Sequence, residues 1–150
     1  MTTAPLPQSG YSGRSLPEKL GFKPGMAVAF IGLPAELTGL ADCVTFKSVT
    51  RTADWAEPIG PSQSLDAIHA FTKSTAEIVT GLPLLQDAIK RDGMVWVSWP
   101  KKASKVPTDV TEDAVRNAAL DLDLVDIKVA AIDAVWSGLK LMIRKDRRSQ

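Results

Sequence analysis

The chain has 150 residues, 45% hydrophobic and 23% charged, a composition that suits one globular domain with a sizeable core. Its 18 Lys and Arg stand against 17 Asp and Glu, and a net charge of +1 excludes a general attraction to nucleic acid or to an anionic membrane. A single Cys excludes an internal disulfide, no apolar run approaches the ~20 residues of a membrane span, and the start lacks a signal-peptide pattern, so a cytoplasmic protein is expected.

Residues 1–13, MTTAPLPQSGYSG, are rich in Pro, Gly, Ser and Thr and are expected to form a flexible arm, pinned by Tyr11, ahead of one α/β domain over 14–145. A short helix over Ser15–Leu20 has Ser15 as N-cap and Pro17 in its first turn, and Gly21 ends it. The turn Lys23-Pro24-Gly25 launches the continuous apolar run Met26–Ile31, which reads as a parallel strand buried on both faces. A short helix follows at Pro34–Leu40, then an alternating strand nearer an edge at Cys43–Val49, and a long loop or degraded helix over 50–64.

Leu65–Phe71 is the third strand. Ser74 and Glu77 have capping-box spacing, and Ile78, Leu82, Leu85 and Ile89 form one apolar stripe of a helix that Pro83 should kink or split. After Asp92-Gly93 the run Met94–Trp99 is a buried strand stopped by Pro100. A loop with Lys101, Lys102 and Lys105 leads to a helix at about 110–120, with Val115, Ala118, Ala119 and Leu122 on one face. Leu124–Ile132 and Trp136–Arg144, around Asp133-Ala134-Val135, read as an antiparallel pair, and 146–150 as a flexible basic tail. The pattern predicts an α/β fold, a mainly parallel open sheet covered by helices and closed by the antiparallel pair.

Strand, helix, DGMVWVSWPK, helix and a terminal strand pair resemble the second half of a class I methyltransferase, and LGFKPGMAV resembles the lead-in to that family's first strand. The resemblance implies a truncated, Rossmann-like methyltransferase fold over Leu20–Arg144. It also implies where S-adenosylmethionine would lie, beside a Gly-rich turn after the first strand and an acid ending the second. Those positions read Ile31-Gly32-Leu33-Pro34-Ala35 and Phe46-Lys47-Ser48-Val49, with one Gly and no acid, so no cofactor is expected. A second resemblance, on YSG at 11–13, LGFKPGM at 20–26, WVSWPKKAS at 96–104, TDVTED at 108–113 and WSGLKL at 136–141, is to a small bacterial family of unknown function. It implies a cytoplasmic, single-domain protein and carries no activity with it.

The chemistry concentrates after Trp96-Val97-Ser98-Trp99. Ser98, Trp99, Lys101, Lys102, Ser104, Thr108, Asp109 and Glu112 are the candidate ligand-binding residues, because a strand end, a lysine loop and a helix start are the parts from which α/β proteins build anion sites. The bland counterpart is a solvated loop whose lysines pair with Asp109, Glu112 or Asp113. His69, the only histidine, and Cys43 read as structural, since neither has a visible catalytic or metal-binding companion, and no metal site is expected. The leading expectation is a non-catalytic binding or interaction module. Its rival is an enzyme or sensor that holds an anionic small molecule at 98–112. A protein partner or a homo-oligomer stays open, while membrane and nucleic acid are not expected partners.

Overall fold

The structure, a computed structural model, describes residues 15–148; the arm expected at 1–13, with Tyr11, and residues 149–150 of the tail lie outside the described residues. Helix α1 (Leu16–Leu20) opens on Ser15, whose hydroxyl accepts from the Glu18 N–H while the Glu18 carboxylate answers the Ser15 N–H. Gly21 closes it in the left-handed conformation at φ +79°.

Six strands form one sheet: β1 (Ala27–Ile31), β2 (Ser48–Thr52), β3 (Leu65–Phe71), β4 (Ile89–Pro100), β5 (Leu124–Ala131) and β6 (Trp136–Ile143), in the order β2-β1-β3-β4-β6-β5. The pairs β1–β2, β1–β3 and β3–β4 are parallel, and β4–β6 and β5–β6 are antiparallel. Asp133 shapes the β5–β6 turn, its carboxylate accepting from the N–H groups of Val135 at 2.8 Å and Trp136 at 2.7 Å.

Side chains alternate between two cores, as a pleated sheet requires. Ala29, Ile31, Val95, Val97 and Trp99 face helices α2 (Thr75–Ala88) and α3 (Glu112–Leu120), which contribute Ile78, Leu82, Leu85, Val115 and Ala119. Val28, Phe30, Met94 and Trp96 face α1 and the 3-10 helix Ala35–Asp42, which contribute Leu16, Leu20, Leu37 and Leu40. Both faces are therefore covered, as the apolar run at Met26–Ile31 requires.

Three elements differ from expectation. Strand β4 begins at Ile89, expected as the last member of the helix stripe, and runs through Asp92-Gly93, expected as a turn, to include Pro100. The second strand is Ser48–Thr52, not Cys43–Val49. The apolar positions of 43–47 turn onto the sheet instead, with the Phe46 ring at 5.8 Å from Phe22 and 6.4 Å from Phe30. Helix α2 runs on through Pro83 without a break. Val79, whose carbonyl Pro83 leaves without its helical donor, lies on the exposed side. No helix among the described residues is long and apolar enough to cross a membrane.

Candidate functional site

The chain runs from β1 to β2 on one side and from β3 to β4 on the other, so the direction of winding reverses between the neighbours β1 and β3. In open α/β sheets, ligands lie in the crevice at such a switch point, beyond the carboxyl ends of the strands. Here that crevice has a volume of about 500 Å3 and is lined by Gly32 and Pro34 after β1, Phe71, Thr72 and Lys73 at the end of β3, and Trp136 at the start of β6. Gly32 sits at φ +65°, and a Cβ there would stand 3.0 Å from the Phe71 carbonyl oxygen, so the turn demands glycine. Its N–H donates to the Thr52 carbonyl at 2.9 Å, fastening the turn to the end of β2.

Phe71 and Trp136 meet edge to face, with centroids 5.2 Å apart at 89°, and the Trp136 indole N–H is buried without a hydrogen-bond partner. The Thr72 hydroxyl donates to the Glu77 carboxylate, and the Ser74 hydroxyl accepts from the Glu77 N–H at 3.2 Å, which ties the crevice wall to the start of α2. Glu36 and Lys73 carry charge at the rim.

Below Phe71 lies His69, wholly buried. Its ring stacks on Phe71 at 4.2 Å, its Nε2 is 2.7 Å from the Ser98 hydroxyl, and its Nδ1 has no partner. Desolvation with no nearby carboxylate pushes its pKa down to about 3. Burial likewise pushes the Cys43 thiol up to about 11.

The loop singled out in the sequence lies at the end of β4, one strand further along. An open hollow of about 460 Å3 brings together Trp99, Lys102, Thr108, Asp109 and Glu112. Ser98 does not join them, because it points to the opposite sheet face, toward His69. The Lys101 N–H donates to the Val135 carbonyl at 2.7 Å, and the Ser104 hydroxyl caps the Lys101 carbonyl at 2.6 Å; neither residue lines the hollow. Thr108 donates to the Lys73 carbonyl at 3.0 Å, and the Asp109 carboxylate accepts from the Thr75 N–H at 2.8 Å. Glu112 and Asp113 pair with Arg116 rather than with the lysines. The loop's hydroxyls and carboxylates thus hold the loop to α2 and to itself.

The resemblance pointed to one wall of the crevice, the turn at Gly32 and Pro34, but not to Phe71, Thr72, Lys73 or Trp136, whose place beside it depends on strand order that no local pattern encodes. It also placed the ribose acid too early. With β2 ending at Thr52, the residue two beyond is Asp54. Its carboxylate accepts from the Ala56 N–H at 2.9 Å, and it lines a different hollow, beside Trp55 and α2.

No family model matches the chain, and no curated protein matches it. Solved structures do match. A SAM-dependent methyltransferase from Aquifex aeolicus superposes with a TM-score of 0.62 at 16% identity, over 85% of this chain and 87% of that one. The fold is that of the class I methyltransferases. A TehB-like SAM-dependent methyltransferase from Corynebacterium glutamicum gives 0.61 at 10% identity, over 86% of this chain and 85% of that one. Magnesium protoporphyrin IX methyltransferase from Synechocystis, solved with bound SAM, gives 0.57 at 15% identity, over 86% and 74%. At such identities the likeness is one of fold, and function rests on the site.

Proposed function

We propose that this chain is a non-catalytic binding module on the class I methyltransferase fold, with a small-molecule ligand lodged in the crevice at the carboxyl ends of β1 and β3. The observation that carries the reading is His69. The only histidine of the chain lies directly under the crevice, sealed from it by Phe71 and neutral down to about pH 3. It cannot exchange protons with a ligand near neutral pH, and a thiol with a pKa near 11 at Cys43 is no nucleophile there. What the crevice offers instead is a surface for holding: Pro34, Phe71 and Trp136 as apolar walls and a charged rim. The resemblance to the small bacterial family supports a single-domain, cytoplasmic protein of this kind.

The residues present do not fit S-adenosylmethionine. Pro34 has no N–H to offer and puts a rigid ring where the family has a glycine turn. Asp54 caps its own loop and lines a separate hollow, so its carboxylate is not presented to a ribose in the crevice. One feature favours a second reading, an anionic ligand at the 98–112 loop: Lys102 lines that hollow and makes no ion pair among the described residues.

A thermal-shift screen of the full chain against nucleotides, sugar phosphates, S-adenosylmethionine and S-adenosylhomocysteine tests these readings. A ligand at ten times its Kd stabilises by about 1.4 kcal/mol. The shift it produces should shrink in Trp136→Phe and persist in Lys101→Ala/Lys102→Ala. The reverse pattern would favour the loop.

A further inference from the structure

Helix α2 is apolar on both sides. Ile78, Leu82 and Leu85 are buried against the sheet, yet Val79 and Leu84 on the outer side are 58% and 57% exposed, more than the other large hydrophobics among the described residues. Helical spacing sets the small or rigid residues Ala76, Thr80 and Pro83 along the outer row between them. Beside that row lies an open hollow of about 560 Å3, floored by the buried Trp55, walled by Ala76, Thr80, Gly81 and Leu84, and edged by Asp54 and Glu77. Lys73, just before the helix, and Asp87, in its last turn, stand seven positions to either side of Thr80. Both are exposed and neither forms an ion pair among the described residues; one Asp87 oxygen accepts from the Ser62 hydroxyl at 2.7 Å and the other has no ion-pair partner there.

We propose that the outer face of α2 is a homodimer interface, the two helices running antiparallel about a two-fold axis that passes beside Thr80. A two-fold interface uses one patch twice, so every feature must find its complement on the same patch. This patch meets that condition in two independent ways. An axis at Thr80 brings Lys73, which leads into the N-cap Ser74 of each protomer, to the end of α2 where the other protomer has Asp87, one opposite-charge pair at each end of a strip roughly 20 Å long. The same axis sets Leu84 of each protomer against Ala76 of the other, where the small side chains leave the hollow over Trp55. A projecting leucine then enters a gap between small residues, the knob-into-hole packing of helix pairs.

The second copy fits this face better than residues 1–14 of the same chain. Those residues precede α1, which packs in the core on the opposite side of the sheet from α2, and they contain no Asp or Glu to meet Lys73.

The test is sedimentation equilibrium of the full chain up to about 100 µM, a range that covers a weak reversible dimer. The wild type should dimerise. Leu84→Glu, at an exposed position, should be monomeric with an unchanged far-UV spectrum. Lys73→Glu sets like charges at both ends and should raise the dimer Kd about tenfold, and adding Asp87→Lys should recover most of that loss. A monomeric wild type would overturn the proposal, as would a dimer that survives Leu84→Glu or a charge swap that fails to restore association. A chain that dimerises through Leu84 only once residues 1–14 are removed would make those residues the occupant and equally overturn it.

Discussion

His69 makes the stability of this protein depend on pH in a calculable way. In the unfolded chain an imidazole titrates near 6.5, whereas the buried ring does so near 3. Between those values the unfolded state holds a proton that the folded state cannot, so stability is full above about pH 7 and is lost as the pH falls. At pH 5.0 the difference amounts to about 2 kcal/mol relative to pH 7.5, and each further unit of acidity adds about 1.4 kcal/mol until the carboxylates titrate as well. For a domain of this size that lowers Tm by roughly 4–8 °C. The structure supplies no counter-effect, because the groups around the ring are Phe22, Phe71, Trp96 and the Ser98 hydroxyl, none of them anionic. Urea unfolding at pH 7.5, 6.0 and 5.0 measures the loss, and His69→Gln, which cannot titrate, should be flat across the same range. A wild type as flat as the variant, or a variant as steep as the wild type, would refute the burial argument.

Two further outcomes follow from packing and burial. Gly138→Ala would bring a Cβ to 2.9 Å from the Ser98 hydroxyl and 3.1 Å from Ile132, and should cost about 1–3 kcal/mol in urea unfolding, part of it recovered by Ser98→Ala. The Cys43 thiol, raised from 9.0 to about 11, should react with iodoacetamide at pH 8 about a hundredfold more slowly than an unperturbed thiol.

Where local chemistry decides structure, the sequence was legible. Ser15 and Ser74 cap their helices with hydroxyls that accept from the N–H groups of Glu18 and Glu77, and the runs Met26–Ile31, Leu65–Phe71 and Met94–Trp99 give parallel strands at the centre of the sheet. The 43–49 strand failed because its alternation serves an aromatic cluster with Phe22 and Phe30, a tertiary demand that imitates the strand period. The site was the least legible part. Ser98 looked available from its neighbours Trp99 and Lys101, but strand alternation turned it into the opposite core, against a histidine 29 positions away in sequence. The hydroxyls of Ser104 and Thr108 looked free and are bound to the carbonyls of Lys101 and Lys73. Gly32 and Trp136 share the crevice only because β1, β3, β4 and β6 lie in that order.

A methyltransferase fold that holds a ligand without carrying out methyl transfer, as proposed, has no use for the methyl donor. Isothermal titration of the full chain with S-adenosylmethionine tests this most directly, since Pro34 and the self-capped Asp54 stand where the cofactor would need backbone donors and a free carboxylate. No binding is expected up to a Kd of about 1 mM. Micromolar binding, with conversion to S-adenosylhomocysteine in the presence of an acceptor, would contradict it.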